Sequence, residues 1–471
     1  MSGLILAIDQ GTHSTRAIIF DSHGRVVTSA RQSIGLQRNS RTEIEQSATE
    51  ILQSMQSVVA NVLDDPAVNP EQISAAGMAT QRSSVVAWHR NTGRPLSPVL
   101  SWQDRRAADQ LHRLDDRVQI IQQRTGLPLS PHYGASKLRW LLENNAAVAA
   151  ALEDNTLVMG PLASYLLHHL TDYDHEAIDD ANASRTLLWN LEQRNWDNSL
   201  LEMFNIPLQV LPRCKPIRSD YGNLKDFSIP VSAVNGDQTA ALYAQGRPSS
   251  NTITVNIGTG AFVLLPVEDP SIKPEGLLAG ISYSDEQSGS YYIEGTVNGA
   301  AAALKWASSL FELGKIEQQL PGWLEDIKVP TLFINTVGGL GAPWWRDGPA
   351  PHFLDTDVSG PEAIVAVIES IIFLVQVNIG LLQTVNPAVE KIQVSGGLSQ
   401  LDKLCQKLAN LSGLDVYRPV QTEATARGIA WQAAGCPTDW PSTGEGTTFT
   451  PEVDPSLKER YTRFVAILNK L

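Results

Sequence analysis

The apolar positions fall in short runs separated by polar, glycine-bearing turns, and strand-length runs alternate with longer stretches of helical period. Leu4-Ile5-Leu6-Ala7-Ile8 is a compact apolar run closed by Asp9-Gln10-Gly11-Thr12, the pattern of a short strand entering a turn. Arg16 to Asp21 predicts a second strand, and Ser22-His23-Gly24 turns the chain into a third. The same series returns as a strand over Thr252 to Ile257, the turn Gly258-Thr259-Gly260 and a strand over Ala261 to Leu265. That recurrence predicts two similar domains; hairpins are common, so chance is the competing account. Gly246 to Asn251 reads as a linker, which places a boundary near residue 248 and gives domains of 1–248 and 249–471.

Helical spacing marks Gly134 to Glu153, through Leu138, Leu141, Leu142 and Val148. Glu362 to Val385 predicts a long helix, begun by Gly360-Pro361 and stopped by Asn386-Pro387. Ile392 to Ser395 predicts a strand ending in Gly396-Gly397, with a helix from about Gln400. The tail from Gly435 to Pro455 reads as a surface loop before a final helix. Strands alternating with helices throughout predict an α/β fold.

Composition narrows this. A chain of 471 residues is too long for one hydrophobic core and ample for two. The net charge of −14 comes with no Lys/Arg run, so nucleic acid and anionic membrane are poor partners. An anionic substrate such as a nucleotide must then be held locally, by backbone N–H groups and a metal ion. Cys214, Cys405 and Cys436 are odd in number and far apart, which suggests neither a disulfide framework nor a thiolate metal site. A reducing cytoplasm fits best, and the early first strand leaves no room for a secretory signal. The most apolar stretch, Ala363 to Leu382, carries Glu369, Ser370, Gln376, Asn378 and Gly380. A mid-helix carboxylate is costly in lipid, so a buried core helix is expected.

The one Gly-Lys pair, Gly314-Lys315, is followed by Ile316, and no G-x-G-x-x-G opens a helix after a strand, so neither a P-loop nor a dinucleotide fold is indicated. Three glycine turns remain, each after a strand: Gly11, Gly258/Gly260 and Gly396/Gly397. Glycine lets backbone N–H groups approach a phosphate closely; singly each is an ordinary turn, and together they favour phosphate binding. In Val231 to Leu242, a strand runs into Asn235-Gly236 and Asp237 stands where a helix begins. Spacing alone favours a helix cap for Asp237, although a carboxylate there can also accept a hydroxyl proton. His168-His169, Asp172, Asp174 and His175 look like metal ligands, but they fall where a helix passes into a loop and read as solvated.

Several motifs occur in one order along nearly the whole chain: A-I-D-Q-G-T (7–12), T-Q-R (80–82), S-W-Q-D-R-R (101–106), N-A-S-R-T (182–186), G-D-Q-T-A-A-L (236–242), G-T-G (258–260), G-L-G-A-P-W-W (339–345) and S-G-G (395–397). By these the sequence resembles the FGGY carbohydrate kinase family, and within it the glycerol kinases. The resemblance implies two actin-like ATPase (ribonuclease H-like) domains with a catalytic cleft between them. It implies ATP and Mg2+ as cofactors and a small sugar or polyol as partner, and it leaves a homodimer open as the assembly. It casts Asp237 as the base, with Asp9 and Asp237 near the magnesium, largely through water and phosphate. Gly11, Thr12, His13, Arg16, Gly258, Thr259 and Gly260 fall to the phosphates, and Gly396 and Gly397 to the adenosine. Arg82, Ser83, Trp102, His132, Asp237, Gln238 and Phe262 fall to the acceptor, with Trp102 and Phe262 as walls; plain core packing is the ordinary fate of such aromatics.

Three departures bear on the acceptor. Where the glycerol kinases have Glu after the matching Arg, this chain has Ser83; their Tyr is His132, and their second loop Thr is His13. Losing a carboxylate that accepts two hydroxyls leaves those hydroxyls poorly paired, so glycerol is not the expected best substrate, and the shorter Ser83 leaves room for a longer polyol or a ketose. No glycine-rich loop for an allosteric sugar bisphosphate stands around Leu224 to Pro230. A catalytically weak sugar-binding or regulatory protein retaining the fold is the alternative. An actin-like or chaperone-type ATPase leaves Gln81-Arg82 and Trp102 unexplained.

Overall fold

The computed structural model describes residues 3–173, 176–420, 423–438, 440 and 445–471. Two mixed sheets organise the chain. In the first, the strand Leu4–Gln10 pairs antiparallel with Ser14–Phe20, which pairs antiparallel with Val26–Ser33. On its other side Leu4–Gln10 runs parallel to Ile73–Thr80, which runs parallel to Ile229–Gly236. The second sheet repeats this plan. Thr252–Ile257 pairs antiparallel with Ala261–Val267 and parallel with Lys391–Ser395, itself parallel to Asp415–Arg418. Gly289–Val297 takes the place of the third hairpin strand. Strands flanked on both faces are nearly continuous in apolar residues, as in Leu4–Gln10, where Ile5 to Ile8 are all buried.

A third sheet of five short antiparallel strands includes Val85–His89, Val99–Leu100 and Leu157–Pro161. It holds the loops that carry Arg82, Ser83 and Trp102.

The two halves are interlocked. The helix Ala424–Ala433 follows the last parallel strand of the second sheet, yet it packs on the strands of the first. Ala426, Ile429 and Ala430 join Ile5, Ala7, Ala75 and Ala233 of the first sheet and Leu264, Tyr283 and Tyr292 of the second in one apolar cluster. Close approach is possible because position 428 is glycine: a Cβ there would lie 1.8 Å from the Ala240 carbonyl oxygen.

The long helix is Gly360–Val385, capped by Ser359, whose side chain accepts from the Glu362 amide. It is buried along most of its length in the second half, against Gly289–Val297 and Asp402–Ser412. Glu369 does not face lipid or water. Arg460 grips it through Nε at 2.8 Å and Nη2 at 2.7 Å, and Lys407 donates as well, the pairing a buried carboxylate requires.

Three expectations need correction. The stretch from Gly134 to Glu153 is two helices, Gly134–Asn144 and Ala146–Glu153. Asn145 ends the first and caps the second, its side chain accepting from the Ala147 and Val148 amides, and a local side-chain cap overrides continuous apolar spacing. The helix expected from Gln400 begins at Asp402, after a 3-10 turn. The tail contains a strand, Thr447–Phe449, which extends the second sheet beside Asp415–Arg418.

Candidate active site

The site is built at the carboxyl ends of the parallel strands of the first sheet, where an open α/β sheet leaves a crevice. Asp9 is level with Ala79 on one side of the central strand, and Asn235 is level with it on the other. Asp237 follows two residues later, so Asp9 and Asp237 flank the end of Ile73–Thr80, from which Arg82 emerges.

Gly236, not Asp237, is the residue that caps the helix Asp237–Ala241. Asp237 is the first helical residue, and its Oδ1 accepts from the adjacent Gln238 amide at 2.7 Å. Its side chain keeps 25% exposure, which leaves a carboxylate edge open. Burial raises its pKa against the opposing charge of Arg82. Asp9 is pushed up to about 7, first by burial and then by the charge of Asp237, with Arg16 opposing. Two carboxylates that cannot both ionise freely are a receptive place for a cation. Arg16 lies across the hairpin from Asp9 and pairs with Glu423 of the second half at 2.5 Å.

Arg82 is shared among three groups. Its Nη1 donates to the Tyr292 hydroxyl at 3.0 Å, its Nη2 lies 3.5 Å from Glu294, and its Nε lies 3.8 Å from Asp237. Glu294 also accepts from Arg185 Nη2 at 3.1 Å. Burial raises the pKa of Glu294, but Arg185 and Arg82 outweigh it and hold the carboxyl below its ordinary value. Tyr292 and Glu294 stand on Gly289–Val297 of the second half, so this clasp joins the halves beside Asp237.

Ser83 is 2% exposed at φ 64°, and its hydroxyl is buried without a hydrogen-bond partner. Lys137 holds this turn: its ammonium donates to the carbonyls of Ser83 at 3.2 Å, His132 at 2.5 Å and Tyr133 at 3.4 Å. Burial brings the Lys137 pKa down to about 7. His132 lies 5.6 Å from Trp102, ring centroid to centroid. Burial, then the charges of Lys137, Arg185 and Arg82, hold its pKa well below the ordinary imidazole value. Phe262 is half-buried against the apolar cluster between the halves. Gln238 lines a small cavity whose opposite wall is Thr254, Asn256, Gln393 and Ser395 of the second sheet.

Asn256 and Ser395 lead into the two glycine turns of the second half. The Gly258 amide donates to the Gly260 carbonyl at 2.8 Å, closing a tight tip. Gly396 has φ 89°, and a Cβ there would lie 2.6 Å from the Ile257 carbonyl oxygen, so only glycine fits; Gly397 faces open space. In the first half, the Gly11 amide donates to the Ser14 carbonyl at 3.0 Å, and Thr12 Oγ1 accepts from Trp102 Nε1 at 3.0 Å. His13 is exposed, with its carbonyl bonded to the Ile34 amide.

Sequence reasoning missed Tyr292, Glu294, Arg185, Lys137, Gln81 and Ser84. Arg185 and Gln81 lie inside quoted motifs, a usable signal; Tyr292 and Glu294 sit on a strand whose pairing partner the sequence does not name. Of the histidine-rich group, His169 bonds the Gly93 carbonyl and Asp172 bonds Asn223. Asp174 and His175 lie outside the described residues, and among the described residues no cluster of three potential ligands occurs.

Residues 4–244 match the N-terminal domain of the FGGY family of carbohydrate kinases, and residues 253–435 match its C-terminal domain. A glycerol kinase of Enterococcus casseliflavus is 30% identical over 95% of this chain and 93% of its own length. One from Thermus brockianus is 34% identical over 91% and 88%. The fold matches Plasmodium falciparum glycerol kinase with ADP at a TM-score of 0.88, with 24% identity over 99% of this chain and 97% of that one. A ligand-bound xylulose kinase of Lactobacillus acidophilus matches at 0.85, with 21% identity over 99% and 98%. The chain belongs to the FGGY family of carbohydrate kinases, enzymes that phosphorylate a hydroxyl of a sugar or polyol with ATP.

Proposed function

We propose that Asp237 is the general base of this kinase, and that its acceptor is a polyol or ketose of four to six carbons rather than glycerol. The base assignment is carried by one observation: Asp237 begins a helix at the crevice with an open carboxylate edge, close enough to Asp9 for its charge to raise the Asp9 pKa. The attacking hydroxyl gives its proton to Asp237 as its oxygen bonds the γ-phosphorus and the bond to the β-phosphate oxygen breaks, leaving ADP. Arg82 holds the carboxylate in place from its Nε side. Trp102 and His132 wall the acceptor, and Phe262 and Gln238 close it from the cleft.

The donor set fits magnesium. Asp9 and Asp237 would supply hard oxygen ligands, and one or two carboxylates completed by phosphate and water suffice for this ion. When bound it neutralises charge on the phosphate oxygens. Gly11, Thr12, His13 and Arg16 would meet the phosphates from the first half and Gly258, Thr259 and Gly260 from the second, with Gly396 and Gly397 beside the adenosine. The domain boundary in this reading stays near residue 248. The enzyme is cytoplasmic, a reading supported by its three scattered cysteines, and free of nucleic-acid and membrane partners, a reading supported by the net charge of −14.

The acceptor is argued from Ser83. Its buried, unpartnered hydroxyl offers a substrate no carboxylate and no accessible oxygen, so two hydroxyls of glycerol lose their anchor. An ADP-release screen over glycerol, tetritols, pentitols, ketopentoses and hexuloses tests it. The expected result is a higher kcat/KM on at least one four- to six-carbon acceptor than on glycerol. Glycerol as the best substrate overturns it.

A further inference from the structure

Trp102 belongs to the acceptor side of the cleft by its ring and to the phosphate side by its nitrogen. Its Nε1–H donates to Thr12 Oγ1 at 3.0 Å, while the ring lies beside His132. That bond is one side of a closed circuit. Gln46 Nε2 donates to the Thr12 carbonyl at 2.9 Å, and Gln81 Nε2 donates to Gln46 Oε1 at 3.0 Å. Ser84 Oγ donates to Gln81 Oε1 at 3.0 Å, and the Trp102 amide donates to Ser84 Oγ at 3.0 Å. Gln46, Gln81 and Ser84 are buried. The circuit therefore fixes Trp102 at its amide and its indole nitrogen, and Thr12 at its carbonyl and its hydroxyl.

A threonine hydroxyl has one proton and two lone pairs, and an indole nitrogen only donates. With Trp102 on one lone pair, the Thr12 proton is directed away from the indole, and among the described residues no group accepts it. Thr12 is partly exposed on the turn between Asp9 and Arg16.

We propose that Trp102 is a positioning residue for the nucleotide: its indole N–H orients the Thr12 hydroxyl so that the hydroxyl proton faces the terminal phosphates. This rests on the reading of the Gly11-Thr12 turn as a phosphate contact. Losing the orientation of one neutral hydrogen bond lowers affinity by about three- to tenfold.

The test is calorimetric binding of AMPPNP and of AMP, each with Mg2+, to the full chain and to Trp102→Phe, Thr12→Val and the double variant. Each single variant is expected to weaken AMPPNP by about three- to tenfold and to leave AMP unchanged, a selectivity that loss of packing alone does not produce. The double variant is expected to bind no more weakly than Thr12→Val, because without the hydroxyl the indole N–H has nothing to orient. Weakened AMPPNP in Thr12→Val with full affinity in Trp102→Phe, or losses that add in the double variant, overturns the inference and spares the phosphate turn. Full AMPPNP affinity in Thr12→Val overturns the phosphate reading itself and the inference with it. If Trp102→Phe does not fold, benzothienylalanine at position 102 keeps the bicyclic shape without the N–H, and the same outcomes decide.

Discussion

The two Gly-Thr turns carry nearly the same sequence and are supported in different ways. In the first half, Thr12 is held by side chains: Gln46 on its carbonyl and Trp102 on its hydroxyl. In the second, the carbonyls of Gly258 and Thr259 are held by backbone amides of Ala300, Ala301 and Ala302, at the start of the helix Ala301–Leu310. The matching glycines, Gly11 and Gly258, both have room for a Cβ, with nearest atoms at 3.5 and 3.8 Å. The turns differ at the residue after the threonine, where the first has His13 and the second has Gly260, on which a Cβ would lie 2.7 Å from the Val297 carbonyl oxygen. The first turn is therefore tuned by distant side chains, which evolution can exchange one at a time. The second is fixed by main chain and tolerates little at position 260.

In the function proposed above, that contrast matches a division of labour, with the acceptor chemistry on the first half and the grip on the nucleotide in the second. Asp237→Asn strikes the first half hardest. It is expected to lower kcat by about 10²- to 10⁴-fold while AMPPNP affinity stays within about threefold, read by ADP release and calorimetry. Comparable losses in both would erase the division. Next in size is Gly260→Ala, expected to destabilise the fold by about 1–3 kcal/mol and to weaken AMPPNP, because a carbonyl must move. Gly11→Ala is expected to change stability by no more than about 0.5 kcal/mol; thermal melts of the pair, run side by side, check it. Equal effects would show that main-chain and side-chain support are equivalent here.

The smallest effect is electrostatic. Asp9 ionises at about 7 because burial and the charge of Asp237 both favour its protonated form. Affinity for ADP with Mg2+ is expected to rise as pH passes upward through about 7, since only the ionised carboxyl attracts the cation. In Asp237→Asn the neighbouring negative charge is gone, Asp9 loses its proton more readily, and the rise moves to lower pH. Calorimetric titration of ADP across that range measures it; an unmoved midpoint would mean that the two carboxylates do not sense each other.

Much of this was legible in the residues themselves. Both hairpins, the strand before Asp237, the long helix begun by Gly360-Pro361, and its core placement followed from local period and turn chemistry. They did so because strand and helix patterns are set by neighbours within a few positions. Where a local signal competed, the reading slipped: Asn145 split one helix in two, and Gly236 took the capping place expected of Asp237.

What the sequence by itself determined is the alternation of elements, the glycine turns at strand ends and the motif order that marks the family. What only the tertiary structure decided is which side chains share a site. Arg82 meets Tyr292 and Glu294 across some two hundred residues of chain, Thr12 meets Trp102, and Ser83 turns its hydroxyl into packing rather than into the cleft. Those partnerships depend on sheet order and on the docking of a second-half helix onto the first sheet. No local period encodes them, because the free energy that selects them comes from burying surfaces far apart in the chain.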